Sequence, residues 1–171
     1  MTITLRPYLP SDVPALIDIF RASVEEIANE DYSEGQIEAW VAAADDAKAF
    51  AARLGSQLTL IAQADGELAG FASMKGVDHV DLLYVHPGFT RRRVATILCD
   101  ALEKLAGARG AAKISVDASD TARPFFEARG YIAERRNTVQ LGEQWLGNTT
   151  MRKPLAANDS HSISSPRGPL Q

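Results

Sequence analysis

Apolar residues in this chain change period several times along its length, and each change marks an element. Residues 2–6 alternate as a short strand. Past them, Ser11 is placed to cap a helix in which Val13, Leu16, Ile17, Phe20, Val24 and Ile27 recur at helical spacing, which predicts one buried face. A second helix opens at Ser33, which forms a capping box with Gln36 and is followed by Ile37, Trp40 and Val41 on one stripe. The Ala-rich residues 42–54 are expected to be helical as well. Period two then takes over. Leu58–Ala64 and Glu67–Lys75 read as strands joined at Asp65-Gly66, a dipeptide suited to a tight hairpin, and a third strand, His79–Val85, runs to Pro87-Gly88. The longest helical pattern follows, through Val94, Ile97, Leu98, Ala101, Leu102 and Leu105 to the breaker Gly107. Residues 113–117 read as a strand, 121–129 as a short helix stopped by Gly130, and 131–141 with 144–153 as a closing pair of strands. This order predicts a mixed α/β domain with a helix crossing between strands in the middle.

Composition narrows the class. At 171 residues, 46% hydrophobic and 23% charged, one core of ordinary domain size is expected over residues 1–154. Residues 155–171 are rich in Asn, Asp, Ser, Pro and Gly and are expected to form a polar, flexible tail. The single cysteine, Cys99, lies in an apolar helical pattern and reads as a small buried side chain, not a nucleophile, which fits a reducing, cytoplasmic setting. No apolar run has the length of a membrane span, and residues 1–12 lack the apolar stretch of a secretory signal, so a soluble protein without a membrane partner is expected. A formal net charge of −4 argues against nucleic-acid binding. No metal is expected either, because no His, Cys and carboxylate set has ligand spacing, and the glycine patterns of P-loops and dinucleotide turns are absent.

Against this acidic background Arg91, Arg92 and Arg93 stand together, in a loop that leaves a strand and leads directly into the longest helix. The first backbone N–H groups of a helix have no partners within it, and the macrodipole adds positive charge there, so this junction suits an anion such as a pyrophosphate. A solvated basic loop is the competing reading.

The segment VHPGFTRRRVATIL resembles the acetyl-CoA-binding signature of GNAT acetyltransferases, usually a Q/R-x-x-G-x-G/A loop after a Val-x-Pro strand end. Thr90 takes the Gln/Arg position, Arg93 the first Gly position and Ala95 the second; a helical residue with negative φ at position 93 would not need glycine. SDTARPFFEARGY is similar to the next motif of that family, with matching spacing from Ala122 through Phe125 to Gly130-Tyr131. DYSEGQIEAW and the ending with Trp145, Asn148, Met151 and Lys153-Pro154 look like a bacterial subgroup of small GNAT proteins of the YafP type. The implied fold is a mostly antiparallel twisted sheet with one splayed parallel strand pair and helices on both faces. The implied activity is transfer of an acetyl group from acetyl-CoA, as co-substrate, to an amine of a small molecule or peptide in a ternary complex. A homodimer is left open.

The resemblance also assigns a site. Leu83, Tyr84 and Val85 would pair with pantetheine; Arg91, Arg92, Arg93, Val94, Ala95 and Thr96 would hold the pyrophosphate; Ser119 and Phe126 would border the pantetheine arm. An amine acceptor must lose a proton before attack. Asp81 and His79 are the candidate bases, since strand alternation puts them on one face with Leu83 and Val85. Many relatives use a tyrosine acid where this chain has Phe126, which leaves Tyr84 or Tyr131, water, or unassisted departure of the thiolate. Glu26, Tyr32 and Trp40, with Glu25 and Asp31 beside them, are candidates for holding the acceptor. The alternative outside enzymology is a catalytically idle acyl-CoA-binding sensor or structural module with the same fold.

Overall fold

The computed structural model describes residues 2–156. A seven-stranded sheet carries the order β1-β2-β3-β4-β5-β7-β6, with β1 Ile3–Pro7, β2 Leu58–Ala64, β3 Glu67–Lys75, β4 His79–Val85, β5 Lys113–Ser119, β6 Ile132–Leu141 and β7 Gln144–Pro154. All neighbours are antiparallel except β4 and β5. The helices are α1 Val13–Ile27, α2 Glu34–Val41, α3 Ala47–Gly55, α4 Val94–Ala108 and α5 Arg123–Ala128. The mixed fold with one parallel pair is thus the one the sequence implies. The Asp65-Gly66 hairpin has both residues at positive φ, 52° and 87°, as a two-residue turn of this hand requires.

Two hydrophobic clusters lie on opposite faces of the sheet. On one face α4 lays Val94, Leu98, Cys99, Leu102 and Ala106 against Ala72, Val80, Ile114, Val116 and Met151, with Phe126 and Tyr131 behind. On the other, Leu16, Phe20 and Val24 of α1 and Phe50 and Leu54 of α3 cover Ile61, Phe71 and Leu82. The site forms where these two layers communicate.

Three local expectations need correction. Ser11 does not cap α1. Pro10–Asp12 is a single 3-10 turn, α1 takes no side-chain cap, and the Asp12 carboxylate accepts from the Leu9 backbone N–H (2.8 Å) and from both terminal nitrogens of Arg6 (2.8 and 2.9 Å). Residues 42–54 are not one helix: Ala42–Ala44 is a 3-10 turn, and Asp46 restarts the chain as the N-cap of α3, accepting from the Ala49 N–H at 3.0 Å. β5 runs to Ser119, two residues past the expected end. The capping box of Ser33 and Gln36 is present as expected, and Gln36 also donates through Nε2 to the Trp145 carbonyl at 2.7 Å, which fastens α2 to β7. Of the expected tail, Leu155 still bonds through its N–H to the Ala112 carbonyl (2.8 Å) and packs on the core; residues 157–171 lie outside the described residues.

Candidate active site

The site begins with two irregularities of β4. Its pairing with β3 skips a residue, Ser73 facing Leu82 and Met74 facing Val80, so Asp81 is the extra residue of a β-bulge. Its parallel pairing with β5 covers only His79 with Ser115 and Val80 with Val116. Beyond those two pairs the strands part. A cleft of about 640 Å³ runs through the opening and joins the two faces of the sheet.

On the α4 face the cleft is bordered by Leu83, Val85, Phe89, Ala122, Phe125 and Phe126, and closes on Arg91, Arg93, Val94, Ala95 and Thr96. The first intrahelical bond of α4 is from Ile97 N–H to the Arg93 carbonyl (3.0 Å), so the N–H groups of Val94, Ala95 and Thr96 stand at an open helix end. Arg91 and Arg93 have φ of 61° and 66°. The expectation of negative φ at Arg93 is therefore wrong: it is the N-cap of α4 in the left-handed conformation, where family members usually place glycine and where a side chain costs on the order of 1 kcal/mol. Left-handed residues in such a loop are a recurrent feature of anion-binding backbone concavities. Arg92 is outside the cleft lining, with its guanidinium over the Phe89 ring at 5.9 Å. Ser119 lines the cleft while its hydroxyl accepts from the Ala122 N–H (3.1 Å), so capping and lining coexist.

On the α1 face the lining changes to Ser23, Ile27, Tyr32, Trp40, Arg53, Asp81, Tyr84, Asp117, Leu146 and Asn148. The bulge overturns the expected face of Asp81. Leu83 and Val85 pack in the α4 cluster and Leu82 and Tyr84 in the α1 cluster, and Asp81 points with the latter, to α3. There Arg53 grips both of its oxygens (2.7 and 2.8 Å) and Gln57 Nε2 adds a third bond at 2.8 Å. Burial alone would raise the Asp81 pKa, but the hydrogen bonds from Arg53 and Gln57 and the nearby positive charge outweigh it and hold the carboxyl below its usual value. A carboxylate so occupied is a poor proton acceptor.

The other candidates divide clearly. His79 does not line the cleft; its Nδ1 lies 2.8 Å from Ser115 Oγ and its Nε2 3.9 Å from Asp117 Oδ2. Tyr84 lines the cleft on the face opposite Phe126, and burial pushes its pKa up to about 12. Tyr131 packs edge-on against Phe126 (5.0 Å) inside the core and is not in the cleft wall. Tyr32 is a clamp: its hydroxyl donates to the Gly147 carbonyl (2.7 Å) and accepts from the Asp120 N–H (2.9 Å), tying the approach to α2 to the ends of β5 and β7. Trp40 packs edge-on against it at 5.4 Å. Glu26 and Glu25 are exposed and outside this wall, as α1 turns its apolar stripe inward; Asp31 instead accepts from Thr121 Oγ1 at 2.9 Å.

Arg53, Asp117, Phe89 and Asn148 line the cleft and were not named as site residues from the sequence. Asp117 was within reach, since alternation with Ile114, Val116 and Ala118 puts it on the opposite face from the α4 cluster. The Arg53–Asp81 pair joins residues far apart in sequence and has no local signal.

Acid should weaken this framework. Asp12, held low chiefly by the hydrogen bond from Arg6, and Asp81 both have folded pKa values below their unfolded ones. Their stabilisation is complete above about pH 5 and lost as pH falls through the depressed values. The expected outcome is a melting temperature that is flat from neutrality to pH 5 and drops below pH 4, with a smaller drop in Asp12→Asn.

The comparisons agree with this geometry. The family model described as acetyltransferase (GNAT) domain matches residues 28–155. The chain is 34% identical over 151 residues to the uncharacterized N-acetyltransferase YafP of Escherichia coli K12, covering 88% of this chain and 95% of that one. A crystal structure of a GCN5-related N-acetyltransferase from Rhodopseudomonas palustris superposes with TM-score 0.89 at 59% identity, covering 91% and 97% of the two chains. The fold is shared with PaiA N-acetyltransferase of Thermoplasma acidophilum, solved with coenzyme A (TM-score 0.75, 22% identity, 90% and 99% covered). With the family model spanning most of the chain and the strand splay, anion loop and cleft in place, this protein belongs to the GNAT family of N-acetyltransferases.

Proposed function

We propose that the protein moves an acetyl group from acetyl-CoA to a primary amine by direct attack, the two substrates meeting in the opening between β4 and β5. The observation that carries this reading is the single cleft that crosses the sheet, with an open helix end and arginines on one side and an apolar wall with carboxylates on the other. The pyrophosphate of the coenzyme fits the backbone of residues 91–96, with Arg91 and Arg93 beside it. Leu83 and Val85, freed from β5, offer backbone to pantetheine, and Phe89, Phe125, Phe126 and Ser119 border its path.

Direct attack is favoured over an acetyl-enzyme. Cys99 is in the core under α4, and burial pushes its thiol up to about 12, so it is neither ionised nor in reach. Initial-rate lines against acetyl-CoA at several amine concentrations should intersect; parallel lines would point to a covalent intermediate. Phe126 removes the usual tyrosine acid, and Tyr84 stands on the other face, so the thiolate leaves unassisted or through water. A sensor with this fold would bind the coenzyme and release no thiol with any amine.

Coenzyme binding has its own test. At about 100 times its dissociation constant CoA should stabilise by about 2.7 kcal/mol, a rise of roughly 5–10 °C for a chain of this size. Arg91→Ala with Arg93→Ala should remove most of that rise, and salt should weaken it. No shift with any acyl-CoA would sink the proposal.

A further inference from the structure

Resting on the acetyl-transfer reading, we infer that Asp117, backed by His79, is the group that receives the acceptor amine and takes its proton. Both carboxylates of the α1-side wall are candidates, and their surroundings separate them. Asp81 is 17% exposed, with both oxygens held by Arg53 and a further bond from Gln57. Asp117 is 46% exposed, on β5 where that strand parts from β4. Its Oδ1 accepts from Thr150 Oγ1 at 2.6 Å, and Thr150 in turn accepts from Asn137 Nδ2 at 2.7 Å, so the carboxylate is oriented by neutral groups that leave its charge uncompensated.

Behind it stands His79. His79 Nδ1 lies 2.8 Å from Ser115 Oγ, and the step uses the tautomer in which Nδ1–H donates to that hydroxyl. That tautomer leaves the basic lone pair on Nε2, which is turned toward Asp117 Oδ2 at 3.9 Å. An ammonium group held by Asp117 has the His79 imidazole as the next station for its proton. In sequence, R–NH3+ gives one proton through Asp117 to His79 Nε2. The free R–NH2 attacks the thioester carbon, the C–N bond forms and the C–S bond breaks. The second amine proton goes to the departing thiolate, and His79 returns its proton to solvent. Other charged groups around the pair are Asp81 and Arg53 on the wall, Lys75 opposite His79 on β3, Asp78 before β4, and Arg152 opposite Ser115 on β7. Asp117 is the catalytic residue in this scheme and His79 a positioning residue that acts through it.

The test compares two amines with acetyl-CoA and reads released thiol. Hexylamine suits the apolar wall and is almost wholly protonated at neutral pH; the conjugate acid of hydrazine is far more acidic, so a substantial fraction is free base at pH 7.5 and its attack depends much less on a base. Asp117→Asn is expected to lower kcat with hexylamine at pH 7.5 about a hundredfold, the usual worth of a general base. Hydrazine turnover and the CoA heat shift should stay within about threefold and a degree or two of the parent. The hexylamine rate of the variant should climb steadily to pH 9.5 where the parent levels off. His79→Gln should show the same selectivity at about tenfold, and Asp81→Asn should lose less than Asp117→Asn. Equal losses on both amines, a loss confined to the KM of hexylamine, or no loss would overturn the assignment, as would a parent that acetylates hydrazine alone. If Asp117→Asn fails to fold, His79→Gln decides by the same comparison. A parent that binds CoA and acetylates neither amine overturns the acetyl-transfer reading itself, and this one with it.

Discussion

Gly70→Ala is expected to damage stability and coenzyme binding together. Gly70 lies in β3 opposite Val85, beneath the start of α4. A Cβ at this position would sit 2.8 Å from the Tyr84 carbonyl oxygen, 3.1 Å from a Val94 methyl and 3.3 Å from Val85 Cα. Backbone cannot yield as a side chain can, so β4 and α4 must move apart at the point where the strand lines the cleft and the helix opens. Such overpacking costs about 1–3 kcal/mol or somewhat more, or a fall of roughly 2–12 °C at this chain length. The CoA-induced rise should shrink as well, since both displaced elements border the cleft. Gly107→Ala is the control: its Cβ meets nothing within 4 Å, and α4 should gain up to about 1 kcal/mol. A Gly70→Ala protein that melts with the parent and keeps the full CoA shift would contradict this account.

Arg53→Met should be the most costly change among the polar groups of the cleft. It keeps the bulk of the side chain but leaves Asp81, 17% exposed, with only Gln57 as a partner. Breaking a well-buried pair in this way costs about 3–5 kcal/mol; Arg53 is 46% exposed, so solvent screening reduces the expectation to about 2 kcal/mol. The sign with pH is diagnostic. In the variant, burial is no longer outweighed by Arg53, so the Asp81 pKa rises above its unfolded value, and the penalty present at neutrality fades as pH falls toward 4 and the carboxyl takes a proton. Asp81→Asn in the same background should recover most of the loss at pH 7. Unfolding curves at pH 7 and pH 4.5 measure both effects, and a penalty equal at the two values would mean that packing, and not an orphaned charge, is responsible.

Much of the fold was legible because it is written in local periodicity. The bounds of β2, β3 and β4 are those read from the sequence, and the capping box of Ser33 and Gln36 and the turn at Asp65-Gly66 are where short-range chemistry puts them. Local pattern failed where a side chain was drawn into a longer-range contact. Asp12, and not Ser11, organises the entry to α1 because Arg6 of β1 reaches it. The break between residues 44 and 47 interrupts an Ala-rich run whose composition gives no warning of it, although Asp46 supplies the cap.

For the site, what the sequence by itself determined is the segment proposed here for the coenzyme: an arginine loop feeding a long helix after a strand, with the aromatic motif around Phe125 and Phe126 at a fixed distance along the chain. Those are contiguous residues, and their chemistry follows from one strand, one turn and one helix end. The acceptor side was decided only by the tertiary structure. Alternation counted from Val85 gives Asp81 the same face as Leu83, and a single bulged residue reverses it, because strand period two has no memory across an inserted position. What Asp81 then meets, Arg53 and Gln57, and what stands across the gap, Asp117 with His79 behind it, depend on how α3 and β5 pack against β4, which no pattern within any one segment contains.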